Sequence, residues 1–301
     1  MQKFTNQLLA TANQIILGKE HKIRLALCCL LAKGHLLIED IPGVGKTTLA
    51  HTLAKLLGLN YQRIQFTSDI LPADILGTTV FDVKNHEFKF HPGPVFKQMV
   101  LADEINRATP KAQSALLEAM EEHQVTVEGT TYPLPQPFFV IATQNPSHQI
   151  GTFPLPESQL DRFLMRIELG YPNPVAERAL LTGQSRESLI ANLPVLLPPV
   201  QLQKIQHAVT EVYTSDALLD YCQALINFTR ESSEYQCGLS PRGGLALLRA
   251  AKAWAFLDQR DAVIPEDLQA VLAAVVGHRL RSGNQDSEAI VAPLLKKVAV
   301  H

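Results

Sequence analysis

Apolar residues at Phe4, Leu8, Leu9, Ala12, Ile15 and Ile16 recur at helical spacing, so residues 1–17 predict an amphipathic helix that Gly18 stops. A second helix is predicted over Lys22 to Lys33, burying Ile23, Leu27, Leu30 and Leu31 and ending at Gly34. The period then changes. Leu36, Leu37 and Ile38 form a short unbroken apolar run, as in a buried strand, and Pro42-Gly43-Val44-Gly45-Lys46-Thr47-Thr48 follows. A new helical pattern begins at Leu49 and continues through Leu53, Leu56 and Leu57. Further strands are predicted at Tyr61 to Phe66, Val95 to Ala102 and Phe138 to Thr143, and a helix from Pro110 to about Glu122 with Thr109 as its cap. Thr78 to Phe90 and Val125 to Leu134 alternate with period 2 about Lys84-Asn85 and Glu128-Gly129, which predicts two hairpins. Thr67 to Gly77 reads as a polar connection.

Strands alternating with helices imply a parallel sheet whose ligands gather at the carboxyl ends of the strands. Proline becomes frequent from Gly170 to Pro199 around a helical piece at Ala176 to Ile190, and beyond Val200 strand alternation disappears. Helices are predicted at Leu202 to Thr214, Ala217 to Arg230, Pro241 to Leu257 and Pro265 to Leu280. The expected organisation is an α/β domain in residues 1–172, a linker in 173–199 and an all-helical domain in 200–301.

The chemistry begins in the loop after the first strand. A strand, a glycine loop and a helix suit phosphate: the glycines allow backbone N–H groups to converge, and the helix N-terminus adds favourable partial charge. Residues 42 to 48 form this candidate nucleotide loop, with Lys46 reaching the β and γ phosphates and the Thr47 hydroxyl a ligand for Mg²⁺. Asp40 stands where the full pattern has its first glycine. The stretch Ile15 to His21, with Gly18, could pack on an adenine ring, although helix termination explains it as well. Val100-Leu101-Ala102 ends in Asp103-Glu104, which places one carboxylate for the Mg²⁺ shell and its neighbour to deprotonate an attacking water. Asn145, at the tip of another strand, could hydrogen-bond the γ-phosphate or that water.

With 301 residues, 46% of them hydrophobic and 19% charged, the chain has ample core material. Lys+Arg 27 against Asp+Glu 29 gives a net charge of −2, which supplies no field to attract nucleic acid. Cys28, Cys29, Cys222 and Cys237 form no CxxC pair and read as reduced thiols, and the N-terminal MQKFTNQLLATANQ lacks a signal-peptide core. No run approaches the length of a membrane span, so a cytoplasmic protein is expected.

The ordered series PGVGKTT, VLADEINR, ATQNP, LPESQLDRF and LSPRGG resembles the AAA+ ATPases, and among them the MoxR family. The resemblance covers nearly the whole chain. It implies a P-loop AAA+ core whose parallel sheet is flanked by helices, a C-terminal all-helical lid, ATP and Mg²⁺ as ligands, and assembly as a hexameric ring. By position, Lys46 and Thr47 would belong to Walker A, Asp103 and Glu104 to Walker B, and Asn145 to sensor 1. Arg162 would be the arginine finger acting on a neighbouring subunit and Arg242 the sensor 2 arginine of the lid. The two hairpins would match the helix-2 insert and pre-sensor hairpin, which in this clade contact the client or the ring pore. Members are held to be chaperone-like remodelers that mature other proteins, often inserting metal cofactors with a von Willebrand factor A domain partner. This chain lacks that partner's DxSxS motif, so the partner would be a separate polypeptide. Two other readings share the core: a nucleic-acid motor, against which the charge argues, and a nucleotide-gated scaffold, against which Glu104 argues.

Overall fold

A computed structural model describes residues 2–145, 151–280 and 286–300, with Pro146 and the side chain of Phe4 outside the described residues. The chain opens with α1 (Gln2–Ile15), α2 (Glu20–Leu31), β1 (Leu36–Glu39), α3 (Lys46–Leu56) and β2 (Tyr61–Gln65). A short α4 (Pro72–Leu76) leads into the hairpin of β3 (Gly77–Asp82) and β4 (Glu87–Pro92), and then to β5 (Met99–Asp103) and α5 (Pro110–Glu122). The second hairpin, β6 (Gln124–Val127) with β7 (Thr130–Pro133), precedes β8 (Phe139–Gln144), α6 (Glu157–Leu160) and β9 (Met165–Ile167). Then come α7 (Pro174–Thr182), α8 (Arg186–Ala191), α9 (Pro199–Thr210), α10 (Asp216–Glu231), α11 (Pro241–Leu257), α12 (Pro265–Val276) and α13 (Ser287–Lys297).

Five strands form one sheet in the order β2-β5-β8-β1-β9, and every pairing in it is parallel. Because side chains alternate across a strand, the apolar runs supply two cores. Leu36, Ile38, Met99, Leu101 and Ile141 face α1 to α3, whereas Leu37, Val100, Ala102, Val140 and Ala142 face the side covered by α5. The first core continues without a break into the helical C-terminal part, through Leu225, Leu247 and Val271, so the lid is seated on the α2 side of the sheet. No helix among the described residues is long and apolar enough to cross a membrane.

The structure differs from the sequence expectation at several boundaries. Thr67 to Gly77 contains α4, started by Pro72 at its first position and by the Leu71 N–H donating to Asp74 Oδ2. The run Val95 to Ala102 divides into a 3₁₀ turn at Pro94–Phe96 and the strand β5, because the prolines flanking Gly93 favour a turn there. The helical piece at 176–190 is two helices broken at Gly183, where a Cβ would lie 2.7 Å from the Ala179 carbonyl. α9 begins earlier, at Pro199, and ends at Thr210, and α12 stops at Val276. Strand β9 and helix α13 were not expected. Cys28, Cys29 and Cys222 are buried free thiols, but Cys237 is exposed.

Candidate functional site

The phosphate loop hangs from the carboxyl end of β1. Gly43 and Gly45 have φ of +83° and +97°, values a side chain resists, and nothing lies within 4 Å of a Cβ placed on Gly43. The space beside Gly43 is therefore open. Lys46 opens α3 and is only 8% exposed; its Nζ donates to the Asp40 carbonyl at 2.5 Å and to Asn145 Oδ1 at 3.0 Å. Burial lowers its pKa, while Asp40, Asp103 and Glu104 act to raise it. Asp40 explains the missing first glycine. Its carboxylate accepts the N–H groups of Ile41 at 2.8 Å and of Leu169 and Gly170 at 2.6 Å each, clamping the loop to the chain leaving β9. Pro42, Val44, Thr47 and Thr48 complete this segment, with both threonines in the first turn of α3.

Asp103 ends β5, which lies between β2 and β8 in the sheet. Its Oδ1 accepts the Thr143 hydroxyl at 2.5 Å, and its Oδ2 takes Arg63 Nε and Nη2 at 3.0 and 2.6 Å. Glu104, the next residue, is left-handed at φ 57° and ψ 48°, a conformation that costs a non-glycine residue about 1 kcal/mol or more. Its N–H is held by Thr143 Oγ1 at 2.9 Å, so one threonine holds the Asp103 carboxylate and the Glu104 backbone. Glu104 Oε1 accepts the Asn145 amide at 3.0 Å, while Oε2 meets Gln65 at 3.0 Å and Arg107 at 3.1 Å. Asn145 thus bridges Lys46 and Glu104 with the two ends of one amide. Its own carbonyl receives Asn106 Nδ2.

Sequence reasoning named Lys46, Asp103, Glu104 and Asn145, which meet here, but missed Arg63, Gln65, Thr143 and Arg107. Arg63 and Gln65 are alternate residues of β2, and the register of β2 with β5 sets Gln65 beside Asp103. Gly18 sits at φ +69° between α1 and α2, with Ala176 and Asn173 of the α7 start each 3.2 Å from a Cβ placed there. Its neighbour Lys19 donates from Nζ to the Tyr171 carbonyl and feels the Asp40 charge. The segment therefore packs against the start of α7 and lies close to Asp40 at the root of the loop.

The two other candidate residues lie elsewhere. Arg162 follows α6 and precedes β9, and the Leu164 N–H donates to His35 O just before β1. Arg162 thus sits at the amino ends of the strands, whereas the phosphate loop leaves their carboxyl ends. Arg162 Nε pairs with Glu121 Oε2 at 2.9 Å, and Arg242 Nη2 pairs with Oε1 of the same carboxylate. These groups border a cleft of about 630 Å³ between core and lid, which Lys33, His35 and Arg249 also line.

Comparisons with known proteins agree with this layout. Residues 35–165 match the model of the ATPase family associated with various cellular activities, and residues 227–294 match an AAA lid domain. The chain is 44% identical to Bacillus subtilis YeaC, over 96% of this chain and 92% of that one. It is 40% identical to Chaperone MoxR1 of Mycobacterium tuberculosis, over 89% and 73% of the two chains. It is 35% identical to Protein MoxR of Paracoccus denitrificans, over 90% and 86%. A crystal structure from Cytophaga hutchinsonii, named as a candidate ATPase, superposes with a TM-score of 0.89 at 35% identity, covering 100% of this chain and 96% of that one. An MCM homolog from Methanopyrus kandleri shares the fold, with a TM-score of 0.61 at 18% identity over 89% of this chain and 58% of that one.

Proposed function

The chain belongs to the MoxR family of AAA+ ATPases, and from that premise we propose that it hydrolyses ATP as a hexameric ring to remodel or mature a partner protein. The observation that carries the hydrolytic part is the Lys46–Asn145–Glu104 linkage. One amide ties the residue placed for the γ-phosphate to the carboxylate placed for water, so nucleotide binding and water activation share a geometry. The loop of residues 42 to 48 cradles the phosphates, Lys46 adds a full positive charge, and Gly18 borders the base. Thr47 and Asp103 would hold Mg²⁺, which supplies charge neutralisation on the phosphates. Glu104 takes the proton of the attacking water, and Asn145 orients that water or the γ-phosphate. Arg162 and Arg242 stabilise the charge that develops on the neighbouring subunit's γ-phosphate.

The remodeling part rests on the hairpins. Val83 and Phe88 of the first hairpin are 71% and 74% exposed, and Phe90 stacks on Tyr132 of the second with ring centroids 4.1 Å apart. An exposed apolar tip on a braced base suits contact with a protein client. A separate von Willebrand factor A domain protein is the proposed partner, metal insertion one possible maturation, and the cytoplasm the proposed setting. Residues 1–172 would form the core, 173–199 the linker and 200–301 the lid.

Glu104→Gln tests the hydrolytic assignment. It should keep ATP affinity while turnover falls by ~10²-fold or more, the worth of a general base. Lys46→Ala should instead lose affinity by at least about tenfold. Loss of both properties in Glu104→Gln would reassign Glu104 as a structural residue or a metal ligand, and retention of client by that variant in a pull-down checks the remodeling part.

A further inference from the structure

Glu121 lies in the last turn of α5, far along the chain from both arginines it contacts. Its carboxylate engages both Arg162 of the core and Arg242 of the lid, each through a different oxygen. His35, buried beneath it, meets the Met120 carbonyl at 3.2 Å through Nε2 and accepts the Val140 N–H at 3.0 Å through Nδ1, which ties the end of α5 to β8. Arg242 also has a fixed origin, because Ser240 caps α11 by accepting the Gly243 N–H at 3.0 Å.

Two guanidinium groups brought this close repel one another, and Arg242 is half exposed, so neither would hold its place unaided. A carboxylate between them converts the repulsion into a shared anchor. Arg162 forms an ion pair with it through Nε, and Arg242 donates to it from Nη2. A guanidinium has five N–H donors, so each arginine keeps its remaining donors for a phosphate.

We propose that Glu121 is a positioning residue that aligns Arg162 and Arg242 as a pair for one phosphoryl group on the adjacent subunit. The proposal rests on the reading that both arginines act across the subunit boundary. It makes Glu121 important on the subunit that donates arginines and dispensable on the subunit whose nucleotide is hydrolysed.

Complementation between inactive chains measures this directly. Arg162→Ala subunits keep their own Walker residues and act as acceptors, while Glu104→Gln subunits keep their arginines and act as donors. Glu121→Gln added to the donor should lower the recovered turnover by about 10- to 100-fold, the loss expected from misplacing a catalytic group by about an ångström. The same substitution added to the acceptor should leave it unchanged. Glu121→Gln alone should lower kcat while fluorescent-nucleotide affinity stays at the parent value, and Glu121→Asp should restore part of the rate. Equal losses on both sides would show a merely structural role and overturn the proposal, as would full recovery with the substituted donor. If the parent donor and acceptor co-assemble yet show no recovery, the reading of arginines acting across the boundary fails, and the proposal fails with it.

Discussion

Just before β1, His35 spends both ring nitrogens on backbone partners inside a fully buried site, one on the Val140 N–H and one on the Met120 carbonyl. Desolvation pushes its pKa down to about 3, with His123 and Arg249 opposing the charge as well. The unfolded chain, with a histidine pKa near 6.5, therefore binds a proton that the native state refuses. Stability is fully present above pH ~6.5 and is lost as pH falls towards 3, by about 2 kcal/mol at pH 5 from this residue alone. His278 is lowered for the same reason, and adds in the same direction. Urea titrations at pH 7.5 and pH 5 should show the loss. His35→Gln should be less stable at pH 7.5 yet flatter with pH by roughly one proton's worth.

Also at the scale of single residues, Asp103, Glu104 and Asn145 were legible because they follow apolar runs, where a parallel sheet presents ligand groups, and Lys46 because it closes the glycine loop. Arg63, Thr143 and Gln65 were not. Their roles come from strand order: Thr143 meets Asp103 because β8 adjoins β5, and Arg63 meets it because β2 does. A run of residues fixes what alternates on a strand, but not which strand lies beside it. Glu121 was hidden for the same reason, as its two partners are 41 and 121 positions away.

Among the elements, α5 joins the two candidate regions. Gln113 Nε2 donates to the carbonyls of Ile105 and Ala108 just beyond Glu104, and about two turns later Glu121 holds the arginine pair. The long helices and both hairpins were legible from their periodicities. The three-residue β9 was not, since Arg166 at its centre interrupts an apolar pattern and pairs through Nη1 with Glu39 on β1. Helix α13 was obscured by Pro293 in its interior. Gly34 is the close contact between α2, β1 and the segment after Arg162: a Cβ there would lie 2.2 Å from Leu164 Cδ2 and 2.3 Å from Leu164 Cβ. Gly34→Ala should therefore destabilise by about 1 to 3 kcal/mol through overpacking, measured by urea denaturation. Because Leu164 is two residues from Arg162, turnover should fall in the same variant while ATP affinity holds.

For the whole molecule, the candidate charged groups are divided between two ends of one sheet. Lys46, Asp103, Glu104 and Asn145 gather where the strands leave their carboxyl ends, whereas Arg162 is anchored beside His35, before β1 begins. Four strand residues at about 3.3 Å each, and then the loop, separate the two. A finger arginine contributes about 10³ to 10⁵ in rate, ~4 to 7 kcal/mol of transition-state stabilisation, so a chain that cannot use its own should be nearly inert alone. Specific activity should consequently rise steeply with protein concentration, and nucleotide should promote assembly measured by light scattering. Arg162→Ala and Glu104→Gln chains, each inactive, should recover turnover on mixing, because an intact Walker set on one subunit then meets an intact arginine on the next. Dilute monomer hydrolysing ATP at the full rate would show that Arg162 reaches its own nucleotide, and the ring mechanism would have to be abandoned.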